Sequence, residues 1–426
     1  MTLHKPVILE EQQTYNGNDC GEILASLQAN SIELIGLPDE YMGEPKYLGI
    51  SPDLEAGYFV GAAWLIKDNL PVVVRPKVHN VDIAEMLIQA LSISSDEEAG
   101  YFSQCYKISF NEPTIETEEE QSELTPILVI HYISLLENLV KHGLKRDYVT
   151  ITENLRGKVK GHLLFNAQLR QNIIPKREDC NVCRYQVYTT DIPVNRLLKK
   201  ALLFADRMLQ VYMHHHRQYG KLRMRINKLA AAFDGVSDDI EISRVKGLAS
   251  NKLFRHYADA TRVAKEILRR YDYSLSNVST ASHKTPPFWI DMSRLFEMYV
   301  LSLLKQAYGD EIEFQVQGYN CLQVADYVHN GEGLVIDAKY KQMYAGGGVN
   351  KRLVDDIREI SGNARDYSIM SKFPHPEKEP ECIIIYPEDN GLSSFSGPLS
   401  ELAHKKPIHQ FRNFYKIPVR LPSLVK

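Results

Sequence analysis

The chain has 426 residues, of which 44% are hydrophobic and 24% are charged, and its formal net charge is −4. This is the composition of an ordinary globular protein, and the length suits two or three domains better than one. The net charge excludes a strongly basic nucleic-acid binder, so any contact with DNA requires local basic patches or a partner.

The six cysteines are scattered along the chain, which excludes a disulfide framework and favours a reducing compartment. Cys180 and Cys183 form a lone C-x-x-C, and no second pair supplies the four ligands of a structural zinc site. The first residues lack a charged start followed by a long apolar run, and no later segment is apolar enough to span a membrane. We therefore expect a cytoplasmic protein without membrane contact.

Short strands separated by turns predict an N-terminal β-rich domain over residues 1–110, including strands at 46–50, 57–61 and 70–77. The apolar spacing in 81–90 predicts a helix packed against this domain. Arg75 and Lys77 come at the end of a predicted strand. They are either a solvated strand end or a contact to an acidic partner surface.

Residues 111–275 predict a β segment followed by a helical middle region. Helices are expected at 125–142 and from Pro193 onward, because apolar residues recur there at helical spacing and Pro193 suits a first turn. Between them, 144–161 is rich in Lys and Arg. Its Arg156 and Lys158 are either solvated or part of a docking surface for a phosphate backbone or a protein partner.

Two further features of this region concern linkers and metals. The acidic stretch 112–123 and the small, polar stretch 274–287 are both predicted to be linkers. His214, His215 and His216 are adjacent in a predicted helix, where successive side chains fan out by about 100°. They cannot share one ion, so we predict an exposed helix end.

The C-terminal domain is predicted over residues 280–426. Residues 288–309 predict a helix that carries Glu297 among apolar neighbours, and 311–317 and 322–328 predict strands. Glu297 must face a partner or the surface, because an unpaired buried carboxylate is costly.

The segment with the strongest candidates for catalytic residues follows these strands. Leu334 to Ile336 predict a short buried strand that ends in Asp337 and Lys339, whose side chains point to the same face because strand residues alternate. A turn at His329 to Gly333 would bring Asp326 to that face. Two carboxylates and a lysine at one sheet edge suit metal-assisted phosphodiester hydrolysis. The acids would hold Mg²⁺, or Mn²⁺ in its place, and Lys339 would orient or deprotonate water or stabilise the charge on phosphorus.

Beyond this strand, the predicted elements are a flexible glycine loop at 345–348, a helix over 350–371 and a buried strand at 381–386. In the helix, Leu353, Ile357, Ile360, Ala364 and Tyr367 are predicted to share one face. Arg358 and Arg365 project from another face and either contact phosphate oxygens or pair with Asp355, Glu359 or Asp366.

Asp326, Asp337 and Lys339 together resemble the D…D-x-K motif of the PD-(D/E)XK nuclease superfamily, although Ala325 stands where that family often has Pro. A wider set of segments resembles the McrC subunits of McrBC modification-dependent restriction systems. It comprises Gly143–Tyr148, Leu155–Lys158, Pro193–Lys199, Leu295–Glu297, Ile336–Lys341 and Asp356–Gly362. Glu359 stands where that family commonly has Gln.

The resemblance implies a C-terminal α/β PD-(D/E)XK nuclease domain with a mixed central sheet, in an α+β multidomain protein. Glu297, Lys341 and Arg358 are then candidates for supporting roles. The resemblance also implies an N-terminal region that docks on an McrB-like AAA+ GTPase, stimulation of its GTP hydrolysis, and cleavage of double-stranded, methylcytosine-containing DNA. No G-x-x-x-x-G-K-[ST] phosphate loop occurs here, so we expect no nucleotide on this chain and a motor that acts in trans.

Two alternatives stay open at this point. In one, the chain is an assembly factor that activates its AAA+ partner without cutting DNA, and the basic segments 70–77 and 144–161 matter most. In the other, it is a stand-alone, structure-specific nuclease that needs no partner.

Overall fold

The computed structural model describes residues 6–37, 43–78, 81–93, 96–102, 104–109, 112–117, 124–212, 219–242, 245, 255–276, 283–319, 323–341 and 351–423. The chain forms two compact units, one of Met1–Leu124 with Ala281–Lys426 and the other of Thr125–Thr280. Helices and strands occur in both, so the protein is α+β. The predicted division into three domains stays a prediction.

The helices and strands follow one another along the chain in three groups. The N-terminal group is β1 (Val7–Glu10), α1 (Cys20–Ala29), β2 (Phe59–Ile66), β3 (Leu70–Arg75), α2 (Ile83–Ile93), α3 (Asp96–Phe102), β4 (Tyr106–Ile108) and β5 (Ile115–Thr117). The middle group is α4 (Leu124–Lys141), β6 (Asp147–Arg156), β7 (His162–Leu163), α5 (Phe165–Gln168), β8 (Cys180–Thr189), α6 (Pro193–Tyr212), α7 (Tyr219–Ala232) and α8 (Arg255–Ser276). The C-terminal group is β9 (His283–Thr285), β10 (Phe288–Asp291), α9 (Met292–Tyr308), β11 (Ile312–Gln317), β12 (Val324–His329), β13 (Leu334–Ala338), α10 (Lys351–Asn363), α11 (Tyr367–Met370), β14 (Glu381–Leu392), α12 (Leu399–Ala403) and β15 (Phe414–Val419).

The N-terminal sheet has five strands in the order β1-β3-β2-β10-β4. Its pairs are antiparallel except β1 with β3, which is parallel. The fourth strand, Phe288–Asp291, corrects the sequence prediction of a helix that begins at residue 288. Gly61 on β2 permits the close approach of β10, because a Cβ atom there would lie 2.1 Å from the carbonyl oxygen of Phe288. Asp291 then caps α9 by accepting a hydrogen bond from the backbone N–H of Arg294.

The middle unit combines a three-stranded antiparallel sheet, in the order β6-β8-β7, with long helices. Helix α6 begins at Pro193, as predicted, and buries Leu197, Ala201 and Phe204. Cys180 and Cys183 are free thiols on β8, three residues apart, so their side chains point to opposite faces of the strand. That arrangement does not place the two thiols on one metal ion.

The C-terminal sheet is mixed, with the order β11-β12-β13-β14-β15. The first two pairings are antiparallel and the last two are parallel. The three predicted strands before Asp337 are therefore present, and Gly333, with a φ of +67°, lies in the turn that joins β12 to β13. Helix α10 packs on this sheet through Leu353, Ile357 and Ile360.

Several other predictions differ from the structure. Residues 46–49 form a tight turn with Tyr47 and Leu48 at positive φ rather than a strand. The stretch 274–287 is not a linker throughout, because α8 extends to Ser276 and β9 pairs with β5, which lies in the predicted acidic linker. Tyr367 is 82% exposed, since α10 ends at Asn363 and Asp366 caps a separate helix.

Some predictions cannot be compared with the structure. His214 to His216 and the glycine loop 345–348 lie outside the described residues. No described helix is both long and apolar enough to cross a bilayer.

Candidate active site

Strands β12 and β13 bring Asp326 and Asp337 together. Their antiparallel register pairs Tyr327 with Ile336, and one further step places Asp326 opposite Asp337. The two carboxyl groups are close enough that, besides burial, the charge of Asp326 raises the pKa of Asp337. Asp326 Oδ2 also accepts a hydrogen bond from the backbone N–H of Ala338, at 2.9 Å. The predicted pair of acids is thus a pair in space.

Lys339 completes the group that the sequence placed on this face. Its Nζ lies 3.4 Å from Asp337 Oδ2 and 3.0 Å from Glu359 Oε2 on α10. Its backbone N–H donates to the carbonyl of Ile385 on β14, which extends the sheet contact past the end of β13. The ammonium of Lys339 therefore lies between the carboxylates of Asp337 and Glu359. Glu359 is the residue that stands where the McrC subunits commonly have Gln.

Glu297 approaches the same site from α9. The hydroxyl of Tyr101, on α3, donates a hydrogen bond to Glu297 Oε2. Burial is the main reason that the pKa of Glu297 is raised to about 8, and the nearby charges of Asp291 and Asp337 act in the same direction. Tyr101 was missed by sequence reasoning, because nothing in its local pattern connects it with a helix that starts almost two hundred residues later.

Burial and neighbouring charges shift the pKa values of both acids upward. Burial raises the pKa of Asp326 to about 7, and the charge of Glu297 adds to the effect. Burial also raises the pKa of Asp337 well above its usual range, while the charge of Lys339 opposes the rise. Clustered carboxylates in a desolvated place favour either a proton or a metal ion.

The donor set fits a hard divalent cation in one specific respect. Asp337 Oδ2 is buried, and no hydrogen bond from the described residues reaches it. Such an oxygen is a suitable ligand for Mg²⁺, which prefers carboxylates and water. Across the described residues, no three His, Cys, Asp or Glu side chains are grouped to hold an ion by themselves. An ion on Asp326 and Asp337 would therefore complete its coordination with water or phosphate oxygens.

A cavity of about 420 Å³ opens onto these residues. Gln12 and Tyr58 of the N-terminal part line one side, and Asp326 and Lys339 line another. Arg358 of α10 also lines it; this side chain is 75% exposed and pairs with Asp355 at 3.0 Å. The cavity wall thus contains residues from both the first and the last part of the chain.

The other predicted supporting residue, Lys341, has a buried ion pair. Its Nζ lies 3.0 Å from Asp356 Oδ1, and both side chains are largely buried. This contact fastens the chain after β13 to helix α10. Lys341 lines the cavity, but its ammonium is directed to Asp356.

The four predicted docking residues differ in exposure. Arg75, Arg156 and Lys158 are exposed, and Arg156 pairs with Asp179 at 2.6 Å. Lys77 is half-buried instead, with its side chain only 10% exposed and in contact with Glu11. The docking role of these four residues stays a prediction.

Comparison with known proteins gives one family and two solved structures. Residues 54–355 match the family model described as McrBC 5-methylcytosine restriction system component. No curated protein matches the chain. A structure of a half-complex from a tetradecameric assembly of Thermococcus gammatolerans McrB AAA+ hexamers with bound McrC is 17% identical, with a TM-score of 0.38, over 98% of this chain and 94% of that one. The Thermococcus gammatolerans McrBC complex is 18% identical, with a TM-score of 0.30, over 70% of this chain and 87% of that one.

Proposed function

Because the chain belongs to the McrBC family of 5-methylcytosine restriction system components, we propose that it is the subunit that cleaves DNA. The observation that supports this proposal is the meeting of Asp326, Asp337 and Lys339 beside a cavity. One buried oxygen of Asp337 accepts no hydrogen bond from any residue that the structure describes. The reaction is hydrolysis of a phosphodiester bond in double-stranded DNA that contains methylcytosine. The C-terminal domain would have the PD-(D/E)XK nuclease fold.

Each residue of the site has a role in this reaction that follows from its chemistry. Asp326 and Asp337 would hold Mg²⁺, or Mn²⁺ in its place, and the ion when bound supplies Lewis-acid polarisation of the phosphate. Lys339 donates to the attacked phosphate group and offsets the negative charge that grows on it. Glu297, oriented by Tyr101, faces the same acids from α9. Arg358, at the exposed side of the cavity, contacts a phosphate of the bound strand.

The proposed partner is an McrB-like AAA+ GTPase, whose hydrolysis of GTP this chain stimulates. Two observations support a separate motor: the family is that of a restriction system component, and the sequence contains no phosphate loop. The net charge of −4 fits the same division, because a partner would then supply most of the DNA affinity.

The test is a cleavage assay with the purified chain, its McrB-like partner, GTP and Mg²⁺ on methylated and unmethylated plasmid. We expect linear product from methylated plasmid only. Asp337→Ala and Lys339→Ala should abolish it, whereas the matched variants Asp389→Ala and Lys405→Ala, at exposed positions, should cleave as the wild type does.

Three outcomes would contradict parts of this proposal. Full cleavage by Asp337→Ala would refute the assignment of the site. Full stimulation of the partner's GTPase with no cleavage by the wild type would favour the non-cutting activator. Cleavage by the chain alone would favour a stand-alone nuclease.

A further inference from the structure

Lys77 has an environment that a solvated strand end would not have. Its Nζ donates to the carbonyl oxygen of Tyr340 at 2.9 Å and to Gln12 Oε1 at 3.2 Å. Glu11 Oε1 lies 3.5 Å away. The ammonium also lies over the ring of Tyr340, 3.9 Å from its centroid. An ammonium has three hydrogen atoms to donate, and these three oxygens are arranged around it.

Glu11 explains why a charge can be buried at this place. It is completely buried, yet it accepts a hydrogen bond from the backbone N–H of Lys77 at 3.3 Å, and the hydroxyl of Tyr340 lies 3.4 Å from its Oε2. A buried ion pair stabilises the fold weakly at best, because both charges lose their water. Its geometry is nevertheless specific, since each partner is costly to leave unpaired.

Tyr340 is the residue that this pair contacts, and it directly follows Lys339. The backbone bends tightly there, since the N–H of Lys341 donates to the carbonyl of Lys339 at 2.7 Å. On the other side, the ring of Tyr340 packs against Phe296, with 5.7 Å between the ring centroids. Phe296 is the neighbour of Glu297 on α9. Tyr340 therefore directly follows one residue of the proposed active site, Lys339, and packs against the neighbour of another, Glu297.

We propose that Lys77 is a positioning residue of the active site: by holding the backbone of Tyr340, the N-terminal sheet fixes the end of β13 and thereby the direction of the Lys339 side chain. This inference rests on the proposed nuclease function. It assigns part of the N-terminal region to the chemistry of cleavage, separately from any contact with a partner. Lys77 does not touch the reacting atoms, so its effect is on geometry.

The experiment compares Glu11→Gln with the double variant Glu11→Gln/Lys77→Met in the complete complex with partner, GTP, Mg²⁺ and methylated plasmid. Glu11→Gln keeps the ammonium on Tyr340. The double variant removes it without leaving a lone buried carboxylate, so a folding failure is avoided. Lys67→Met, at an exposed lysine beside the β2–β3 turn, is the matched control.

We expect the double variant to lower kcat for cleavage by about 10-fold or more, because small misplacements of a catalytic group have effects of that size. KM for DNA and stimulation of the partner's GTPase should stay at the wild-type values. Glu11→Gln should retain most of the wild-type kcat, and Lys67→Met all of it. Hydrogen–deuterium exchange of the segment 338–341 should be faster in the double variant than in Glu11→Gln.

Each contrary outcome has a distinct meaning. If the wild type cleaves and the double variant cleaves equally fast, the positioning role is refuted and the nuclease proposal stands. If cleavage, GTPase stimulation and melting temperature all fall together, Lys77 is merely structural and the inference is refuted. If the wild type does not cleave although the complex assembles, the proposed function itself fails, and the inference fails with it.

Discussion

Replacing Glu11 by Gln should remove a pH dependence of stability that the structure assigns to this one carboxyl group. Burial raises the pKa of Glu11 from its ordinary value of 4.5 to about 7, against the opposing charge of Lys77. Between these pH values the folded protein keeps a proton that the unfolded chain has released. The stabilisation is complete below pH 4.5 and is lost as the pH rises through 7.

The size of the effect follows from the same two values. A tenfold change in proton affinity corresponds to about 1.4 kcal/mol, so the whole rise corresponds to about 3 kcal/mol. Most of it falls between pH 5 and pH 8. With about 2–4 °C of melting temperature per kcal/mol, the wild type should lose roughly 5–10 °C relative to Glu11→Gln over that interval.

Calorimetry of both proteins at several pH values would measure this difference. Glu33→Gln, which changes an exposed carboxylate in the same part of the chain, should follow the wild type at every pH. Parallel curves of melting temperature against pH for the wild type and Glu11→Gln would refute the reasoning, because they would mean that Glu11 titrates alike in the folded and unfolded chain.

Three further predictions concern the active site and its surroundings. Asp337→Asn removes a buried carboxyl group and should raise the melting temperature measured without metal. The same variant should abolish the additional rise in melting temperature that Mg²⁺ gives the wild type. An equal rise with Mg²⁺ in both proteins would contradict the metal site. Tyr101→Phe removes the hydrogen bond to Glu297 and should lower the cleavage rate about 10-fold. The Mg²⁺ concentration that gives the half-maximal rate should rise. An unchanged Mg²⁺ titration would exclude the orienting role of Tyr101. Lys341→Met removes the ammonium that lies 3.0 Å from the buried carboxylate of Asp356 and should cost about 3 kcal/mol in calorimetry. Stability should recover in part when Asp356→Asn is added, and no loss of stability would show that the pair is unimportant.

The parts of the site that could be predicted from the sequence are the local ones. Asp326, Asp337 and Lys339 belong to one hairpin and its continuation, so strand alternation and a glycine turn suffice to bring them to one face. Arg358 pairs with Asp355, one of the acids that the sequence suggests as its partner. The pairing is local, because residues three apart on a helix are neighbours.

Long-range contacts could not be predicted in this way. Tyr101 and Lys77 reach the site through tertiary packing, and no periodicity relates either residue to the C-terminal sheet. The sequence of the strand Phe288–Asp291 predicts a helix instead, because the segment is short, apolar and continuous with a helical pattern. Only its pairing with strands far away in the sequence decides its conformation. Tyr367 was placed on a buried face because the end of α10 depends on a backbone turn at Asp366 rather than on apolar spacing.

The ladder between β5 and β9 has a topological consequence. Thr117, which precedes the middle unit, pairs with His283, which follows it. If residues 118–282 were removed, the cut ends at Thr117 and His283 would therefore be adjacent. A tight turn of about two to five residues is the usual length for joining such neighbours. A gene that lacks the codons for residues 118–282 would thus encode a shorter chain in which the strand order of both five-stranded sheets is unchanged.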